Sequence, residues 1–228
     1  MTIESEAPKR REATAVLYAD IRGFTATLDR IESEADGPEK MKGYLAAWQL
    51  LRDALVRDES GETKGFYLAN RVGDAFVILV FEKDPKRWYR YVTNYLADRF
   101  DEFATEVRRI DPESNPHLKI SLYSTTSKKV PYYETGVMNE SLVRGFSIAR
   151  RDFLCTAINK CARMDALAEA DTSVLLCNGG AHGWLVADGG IDEGRFRDLG
   201  MIELRGFREK ERVFALLARG PMSVPPRG

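Results

Sequence analysis

Apolar positions along the chain follow two patterns, short continuous runs and longer stripes at helical spacing. The runs predict buried strands over residues 13–19, 65–72, 75–81, 118–124, 142–148, 174–177 and 213–217. The stripes predict amphipathic helices over residues 39–57, 85–109 and 153–170. Because strands and helices alternate in this order, we predict an α/β (α+β) fold, in which helices pack on the faces of one central sheet.

The two ends of the chain and one internal segment follow neither pattern. Residues 1–12 are mostly polar and charged and predict a mobile N-terminal arm, whereas residues 219–228, with Pro225-Pro226, predict a disordered tail. Residues 127–140 predict irregular structure. Residues 13–218 predict one domain, because a chain of 228 residues is long enough to bury a sizeable core.

The charge and the apolar runs argue against two classes of partner. The formal net charge is -1 and the pI is about 6.2, so nothing attracts the chain as a whole to a nucleic acid polymer or an anionic membrane. The longest strongly apolar run, residues 75–81, is far shorter than the roughly 20 residues that span a bilayer. We therefore expect a cytoplasmic protein.

Cysteine and histidine offer little chemistry here. Cys155, Cys161 and Cys177 are odd in number and lack the short paired spacings of a zinc site, so we expect reduced, packed thiols. With only His117 and His182 in the chain, a catalytic triad or a histidine-rich metal centre is poorly supported. Carboxylates are therefore the candidates for catalysis.

Two aspartates stand where a predicted strand meets a turn. Asp20 directly follows the first predicted strand, and Asp74 directly precedes a later one. If these strands are neighbours, both carboxylates lie at one sheet end, where they can clamp a pair of Mg²⁺ or Mn²⁺ ions for phosphoryl chemistry. Gly23 leaves the backbone amides of Phe24 and Thr25 open to phosphate oxygens nearby. The alternative is that each carboxylate only accepts hydrogen bonds from its own turn.

Two further groups of polar residues are candidates for binding phosphate. Asn159 and Arg163 are four residues apart on a predicted helix, so both can face one ligand, although such a pair is more often solvated. The second group is a run of basic residues: Arg195, Arg197, Arg205 and Arg208. Such a run is usually a solvated face, but one member is able to contact outer phosphates.

Four segments, in their order along the chain, carry a resemblance to a known family. They are Tyr18-Ala19-Asp20-Ile21-Arg22-Gly23-Phe24-Thr25, Val72-Gly73-Asp74-Ala75-Phe76, Ala157-Ile158-Asn159-Lys160-Cys161-Ala162-Arg163-Met164 and Glu203-Leu204-Arg205-Gly206-Phe207. Over residues 13–217 the chain resembles the catalytic domain of class III nucleotidyl cyclases. The resemblance implies a ferredoxin-like central sheet flanked by helices and a head-to-tail homodimer with active sites at the interface.

The resemblance implies a role for each matching residue near the metals. Asp20 and Asp74 match the two aspartates that bind two divalent cations, Mn²⁺ or Mg²⁺, and Ile21 matches the residue that lends a backbone carbonyl. The resemblance implies a nucleoside triphosphate as substrate, and we expect its phosphates to lie near the amides of Phe24 and Thr25. Because the family places the metal ligands and the Asn/Arg pair on opposite chains, a monomer is expected to be inactive.

The remaining matches concern ribose, phosphate and base. Asn159 matches the asparagine that orients the ribose, Arg163 the arginine that stabilises the transition state, and Arg205 a basic residue that grips the triphosphate. Asn70 and Asp152 fall at the two positions that read the base.

The chain departs from the family at the base-reading positions. Asn70 stands where adenylyl cyclases have lysine and guanylyl cyclases have glutamate. Asn70 with Asp152 is compatible with uracil or cytosine as well as adenine. The usual glycine-and-histidine strand motif is missing from residues 121–151, and Leu154-Cys155 replaces the customary bulky residue plus glycine. The chain thus resembles most the stand-alone pyrimidine (uridylate or cytidylate) cyclases of bacterial anti-phage (Pycsar) systems, which make cyclic UMP or cyclic CMP for a separate cyclic-nucleotide-binding effector.

Four alternatives stay open at this point. An adenylate cyclase shares every catalytic match, and a catalytically inactive nucleotide-binding or dimerisation module predicts loss of Asp20, Asp74 or Arg163, all of which are present. A diguanylate cyclase resembles residues 71–76 only faintly and gives Asn159 no role. An RNA-binding protein on a ferredoxin-like sheet predicts exposed aromatic residues and a basic face, which the net charge opposes.

Overall fold

The computed structural model describes residues 9–56, 64–72, 74–135, 140–143, 146–149, 152–167 and 173–217. Its main feature is a sheet of seven strands. In chain order these are β2 (Ala15–Arg22), β3 (Phe66–Val72), β4 (Ala75–Val80), β5 (His117–Tyr123), β10 (Ser173–Asn178), β11 (Phe196–Glu203) and β12 (Lys210–Leu217). Across the sheet the order is β11-β12-β10-β5-β2-β4-β3.

Four of the seven strands have ferredoxin-like topology. The order β5-β2-β4-β3 is antiparallel throughout, and helices connect β2 to β3 and β4 to β5. Such a βαββαβ unit places the first and third strands side by side at its centre, which are β2 and β4 here. The predicted α/β (α+β) architecture, with a ferredoxin-like central sheet flanked by helices, is confirmed.

In the described part of the chain, six α-helices flank the sheet. They are α1 (Phe24–Ser33), α2 (Gly37–Val56), α3 (Pro85–Arg90), α4 (Ala97–Ile110), α5 (Thr156–Asp165) and α6 (Gly179–Ala187). A π-helical segment, Tyr91–Leu96, joins α3 to α4, and a 3₁₀ turn, Glu193–Arg195, precedes β11. Within the described residues, no helix combines the length and the apolar character needed to cross a bilayer.

Each face of the sheet has its own core, because side chains alternate along β2. Leu17 and Ile21 pack with Trp48 of α2 and Phe103 of α4 on one face. Val16 packs with Met164 of α5 and residues of a second sheet on the other face. Tyr18 belongs to this second face, so Asp20 and Arg22, which follow at intervals of two, point toward the side that α5 covers.

The second sheet has three strands and lies on the α5 side. It consists of β1 (Lys9–Ala13), β6 (Val130–Thr135) and β9 (Asp152–Leu154), and a separate hairpin comprises β7 (Glu140–Val143) and β8 (Phe146–Ala149). Residues 9–12 of the predicted mobile arm therefore pair with β6. Residues 130–135, expected to be irregular, form β6, and residues 153–154, the first two of a predicted helix, belong to β9. The predicted domain limits at residues 13 and 218, and the tail beyond, stay predictions.

Candidate functional site

The site is organised by the end of β2 and the turn before β4. Asp20 lies opposite Ala75 in the antiparallel pairing of these strands, so Asp74 is one residue beyond that pair. Directly opposed residues in antiparallel strands are about 5 Å apart, which brings both carboxylates to the same end of the sheet. Asp20 and Asp74 are both partly exposed, as ligands for a cation and substrate need to be. The expectation that their strands are neighbours is confirmed.

The electrostatics of Asp20 show how closely these groups interact. Burial raises the pKa of the Asp20 carboxyl, and the negative charge of Asp74 raises it further. Arg22 and Lys119 oppose this shift, Lys119 from the facing position on β5. Two carboxylates that repel each other in a half-buried site gain from a divalent cation placed between them.

The N-terminus of α1 lies directly after this strand end. Gly23 precedes the helix with a φ of 82°, a left-handed conformation that favours glycine, and its carbonyl accepts a hydrogen bond from the Thr27 amide at 2.9 Å. The first amides of a helix have no partner within it, so the amides of Phe24 and Thr25 are available to phosphate oxygens. The Phe24 ring packs on Tyr44, with centroids 5.3 Å apart, and this contact fixes the helix start.

The donor atoms present fit a pair of hard divalent cations. Asp20 and Asp74 provide carboxylate oxygens, and Ile21, whose side chain is fully buried, has its backbone at the same strand end. The described residues include no cluster of three or more histidine, cysteine or acidic side chains suited to a metal. In nucleotide sites Mg²⁺ usually binds one or two carboxylates together with substrate phosphates and water, so two carboxylates fit this kind of ion.

Asn159 and Arg163 lie elsewhere on the same chain. Both are exposed on α5, one helical turn apart. Asn159 contributes to a groove of about 400 Å³ between α5 and the second sheet. The groove is lined by Arg10, Pro131, Tyr133, Leu154, Cys155, Thr156 and Asn159. Among the described residues, neither Asp20 nor Asp74 lines this groove.

Arg205 is attached to the α5 side of the molecule. It is exposed in the turn between β11 and β12, which a hydrogen bond from the Phe207 amide to the Leu204 carbonyl closes at 2.9 Å. The Nζ of Lys160 on α5 lies 5.5 Å from the centroid of the Phe207 ring and forms an ion pair with Glu211 on β12. Arg205 therefore belongs to the same surface region as α5. Of the basic run, Arg195 instead donates a hydrogen bond to the Tyr89 hydroxyl at 2.8 Å, away from this turn.

The two base-reading candidates are described only by their backbone. Asn70 lies opposite Val77 in the β3–β4 pairing, and Asp152 lies opposite Thr135 in the β6–β9 pairing. Strands β3 and β9 contact each other, which brings the two positions to neighbouring strands. The side chains of Asn70 and Asp152 lie outside the part of the structure that is described, and their roles stay predictions.

The sequence reasoning gave no role to Arg22, Asp165 and Tyr18. Arg22 Nε lies 3.0 Å from Asp20 Oδ2, and Arg22 Nη2 donates to Asp165 Oδ2 at 3.0 Å. Burial raises the pKa of the Asp165 carboxyl to about 6, with a further contribution from the charge of Asp20. Burial and the charges of Asp20, Asp165 and Asp74 raise the pKa of Tyr18 to about 12. Tyr18 and Arg22 lie two residues from Asp20 on the same strand, so strand alternation predicts that they share its face. Nothing in the sequence around Asp165 predicts its contact with Arg22.

The overall fold is similar to that of several solved structures. The chain is similar to the guanylyl cyclase Cya2, with a TM-score of 0.59 and 14% identity over 96% of this chain and 98% of the other. It is similar to the adenylyl cyclase CyaB from P. aeruginosa, with a TM-score of 0.54 and 14% identity over 95% and 98% of the two chains. Its fold is that of nucleotidyl cyclase catalytic domains.

A third structure extends this similarity to a catalytic core with bound nucleotide analogue. The catalytic core of a rhodopsin-guanylyl cyclase with converted specificity, in complex with ATPalphaS, matches with a TM-score of 0.53 and 17% identity over 95% of this chain and 100% of the other. No protein-family model and no curated protein matches the sequence. At these identities the cyclase-like structures establish the fold, and the activity has to be argued from the residues.

Proposed function

We propose that this protein is a metal-dependent nucleotidyl cyclase, which converts a ribonucleoside triphosphate to its 3',5'-cyclic monophosphate and pyrophosphate. The observation that supports this most is the meeting of Asp20 and Asp74 at adjacent strand ends, beside the open amides of α1. A fold shared with adenylyl and guanylyl cyclases adds to it. Carboxylates, amides and cations at one place suit the charge of a triphosphate.

The complete site forms, in this proposal, between two copies of the chain in a head-to-tail homodimer. One copy supplies Asp20 and Asp74, and its partner supplies the α5 surface with Asn159, Arg163 and Arg205. Among the described residues, the groove that contains Asn159 is lined by neither Asp20 nor Asp74, which supports an arrangement in which a second copy brings the two together. A symmetric pair of this kind has two equivalent sites.

Each residue then has one task. Asp20, Asp74 and the Ile21 carbonyl would hold two divalent cations, Mn²⁺ or Mg²⁺, whose chemistry is to acidify the ribose 3'-hydroxyl and neutralise the leaving pyrophosphate. The amides of Phe24 and Thr25 bind phosphate oxygens. These five residues form the metal and phosphate half of the site.

The partner's half orients and stabilises the reacting atoms. Asn159 orients the ribose so that its 3'-oxygen attacks the α-phosphorus in line with the departing pyrophosphate. Arg163 stabilises the charge that develops on the α-phosphoryl oxygens, and Arg205 grips the triphosphate. The exposure of all three side chains leaves them free to reach a substrate across an interface.

For the substrate we propose UTP or CTP, with ATP as the alternative. The preference rests on Asn70, which matches neither the lysine of adenylyl cyclases nor the glutamate of guanylyl cyclases, taken together with Asp152 at the second base-reading position. An asparagine donates and accepts, and an aspartate accepts from an amino or imino group, so uracil, cytosine and adenine all offer compatible edges.

Purified protein incubated with each of the four ribonucleoside triphosphates and Mn²⁺ tests activity and base choice together. The proposal predicts a cyclic UMP or cyclic CMP product by mass spectrometry. Conversion of ATP alone would overturn the pyrimidine preference and leave the cyclase activity standing. No turnover of any triphosphate, by protein that is folded and dimeric, would favour an inactive nucleotide-binding or dimerisation module.

Mixing two inactive variants tests the shared site. Asp74→Asn and Arg163→Ala should each be inactive alone, and a mixed dimer should regain about one complete site, because each copy supplies what the other lacks. Asp29→Asn, which removes an exposed carboxylate from α1, serves as the control and should retain activity. Absence of rescue, with exchange of subunits verified, would contradict a site built from two chains.

We further propose that the cyclic nucleotide is a second messenger in anti-phage defence, produced in the cytoplasm for a separate cyclic-nucleotide-binding effector. The support is the resemblance to the pyrimidine cyclases of such systems. Cells that carry the wild-type protein with its neighbouring genes should resist phage, whereas cells that carry Asp74→Asn should not. Equal phage sensitivity of the two strains would contradict this role without bearing on the chemistry.

A further inference from the structure

Arg22 connects the metal-binding strand to the helix that carries the transition-state residues. Its side chain ends between two carboxylates, with Nε 3.0 Å from Asp20 Oδ2 and Nη2 donating to Asp165 Oδ2 at 3.0 Å. Asp20 is near the end of β2, and Asp165 is the last residue of α5. The same guanidinium therefore contacts both elements.

The environment of Asp165 is unusual for a carboxylate. Only 4% of its side chain is exposed, compared with 44% for Arg22. Its Oδ1 is buried without a hydrogen-bond partner in the described part of the chain. A buried carboxylate with one unpaired oxygen lowers stability, and a single ion pair offsets this cost only in part. Packing alone thus gives no reason for an acid at this position.

We propose that Asp165 and Arg22 are positioning residues for the metal-binding carboxylate of Asp20, with Asp165 holding Arg22 and Arg22 holding Asp20. This inference rests on the proposed cyclase function. The guanidinium of Arg22 is shared between Asp165 and Asp20, which weakens its ion pair with Asp20. The remaining ion pair orients the Asp20 carboxylate and still leaves this group available to a cation. Arginine suits this task because its planar fork reaches two acceptors at once.

The two substitutions should shift metal binding in opposite directions. In Asp165→Asn the guanidinium is left to pair with Asp20 alone, and it competes better with the cation, so Mn²⁺ binding should weaken by about threefold to tenfold. In Arg22→Gln this competitor is gone, and Mn²⁺ binding should tighten by about threefold while kcat falls by about tenfold or more, because Asp20 is no longer oriented.

The double variant with Asp165→Asn and Arg22→Gln tests whether Asp165 affects Mn²⁺ binding through its contact with Arg22 or through its charge at a distance. If Asp165 acts through Arg22, Asp165→Asn should have little effect on Mn²⁺ binding in the Arg22→Gln background, a coupling of about threefold or more. Lys119→Gln is the matched control, since it removes a positive charge opposite Asp20. It should tighten Mn²⁺ binding slightly and leave kcat within about twofold, and, because the Lys119 charge also acts on Asp165, its coupling to Asp165→Asn should be smaller than that of Arg22→Gln.

The measurements are Mn²⁺ titrations followed by electron paramagnetic resonance of the free ion, together with the Mn²⁺ dependence of initial rates and urea unfolding of each variant. Arg22→Lys is the second variant should Asp165→Asn fail to fold. A lysine keeps the charge but cannot reach both carboxylates, so kcat should fall as in Arg22→Gln while Mn²⁺ binding stays near wild type.

The outcomes distinguish this inference from the proposed function. Three results would overturn the positioning role: additive effects in the double variant, shifts of Mn²⁺ binding in the same direction for both substitutions, or an Arg22→Lys variant with wild-type kcat. If the wild-type protein turns over a triphosphate, none of these results contradicts the proposed cyclase activity. Wild-type protein that neither binds Mn²⁺ nor turns over a triphosphate would instead overturn the cyclase proposal itself.

Discussion

Lys160 and Glu211 form an ion pair that joins α5 to β12, with only 13% and 15% of their side chains exposed. The Lys160 ammonium also donates to the Tyr123 hydroxyl at 3.3 Å and lies near the Phe207 ring. This cluster holds the turn that carries Arg205 against the helix that carries Asn159. The relative placement of these two proposed ligand contacts therefore depends on a lysine that is assigned no contact with substrate.

Replacing Lys160 by methionine tests this connection. The change leaves Glu211 a largely buried carboxylate without its cation, so the free energy of unfolding should fall by about 1–3 kcal/mol. The substrate concentration for half-maximal rate should rise, because the Arg205 turn is held less firmly. Lys42→Met is the control. Lys42 pairs with Glu39 on an exposed helix surface, and breaking that pair should cost about 0.5 kcal/mol or less in urea unfolding. Equal losses for the two variants would contradict a structural role for the Lys160 cluster.

Gly23→Ala tests the turn that opens α1. An alanine at a φ of 82° is strained, so stability should fall by about 1–2 kcal/mol, and relief of the strain would shift the first amides of the helix. Binding of triphosphate should weaken with it. Gly183→Ala is the opposite case, because a Cβ at this helical position meets nothing within 4 Å and should raise stability by about 0.5–1 kcal/mol. Thermal unfolding and nucleotide titration of both variants provide the measurement. A Gly23→Ala variant as stable as wild type would contradict the strained turn.

Asp165 should make stability depend on pH in an identifiable window. Its carboxyl has a pKa of about 6 when folded and about 3.8 when unfolded, so the folded state holds its proton to higher pH. The contribution of Asp165 to the free energy of unfolding is therefore greatest below pH 3.8 and falls as the pH rises to 6. The total loss is about 2–3 kcal/mol, and the contribution stays constant at higher pH. Urea unfolding from pH 4 to pH 7 measures it. The stability of Asp165→Asn relative to wild type should rise over the same interval, and parallel profiles would contradict the raised pKa.

The three cysteines should be unreactive in the folded protein. Cys155, Cys161 and Cys177 are buried free thiols, as their spacing predicted, and burial raises the pKa of each. Since the thiolate is the reactive form, a disulfide reagent should label the native protein far more slowly than the protein in urea, where all three thiols react. Rapid labelling of one thiol without denaturant would show that a buried position opens readily.

Local sequence patterns were sufficient for six of the seven strands of the central sheet and for placing Asp20 and Asp74 at the ends of neighbouring strands. The apolar runs before Asp20 and after Asp74 are continuous because these strands are covered on both faces, and such runs are easy to recognise. Strands at the molecule's periphery were harder. Strand β6 contains Pro131 and mixes apolar with polar residues, so it is not a continuous apolar run. Helix α6 begins with two glycines, so the apolar pattern of a helix is not clear there.

Relationships between distant segments were beyond the sequence patterns. Arg22 and Asp165 are 143 residues apart, and nothing in either neighbourhood predicts that they meet. The long stripe of residues 85–109 is one helical run, but it contains the π-helical segment Tyr91–Leu96, which a pattern at α-helical spacing does not detect.

The pairing of β1 with β6 has a practical consequence. Arg10 on β1 belongs to the wall of the groove that contains Asn159. A purification tag fused just ahead of this strand would start beside the surface proposed for nucleotide. Trimming the chain to begin at Thr14 would leave the hydrogen-bonding edge of β6 bare and open to unwanted self-association. For enzyme assays, the recombinant protein should therefore keep β1 and should carry no tag directly before this strand.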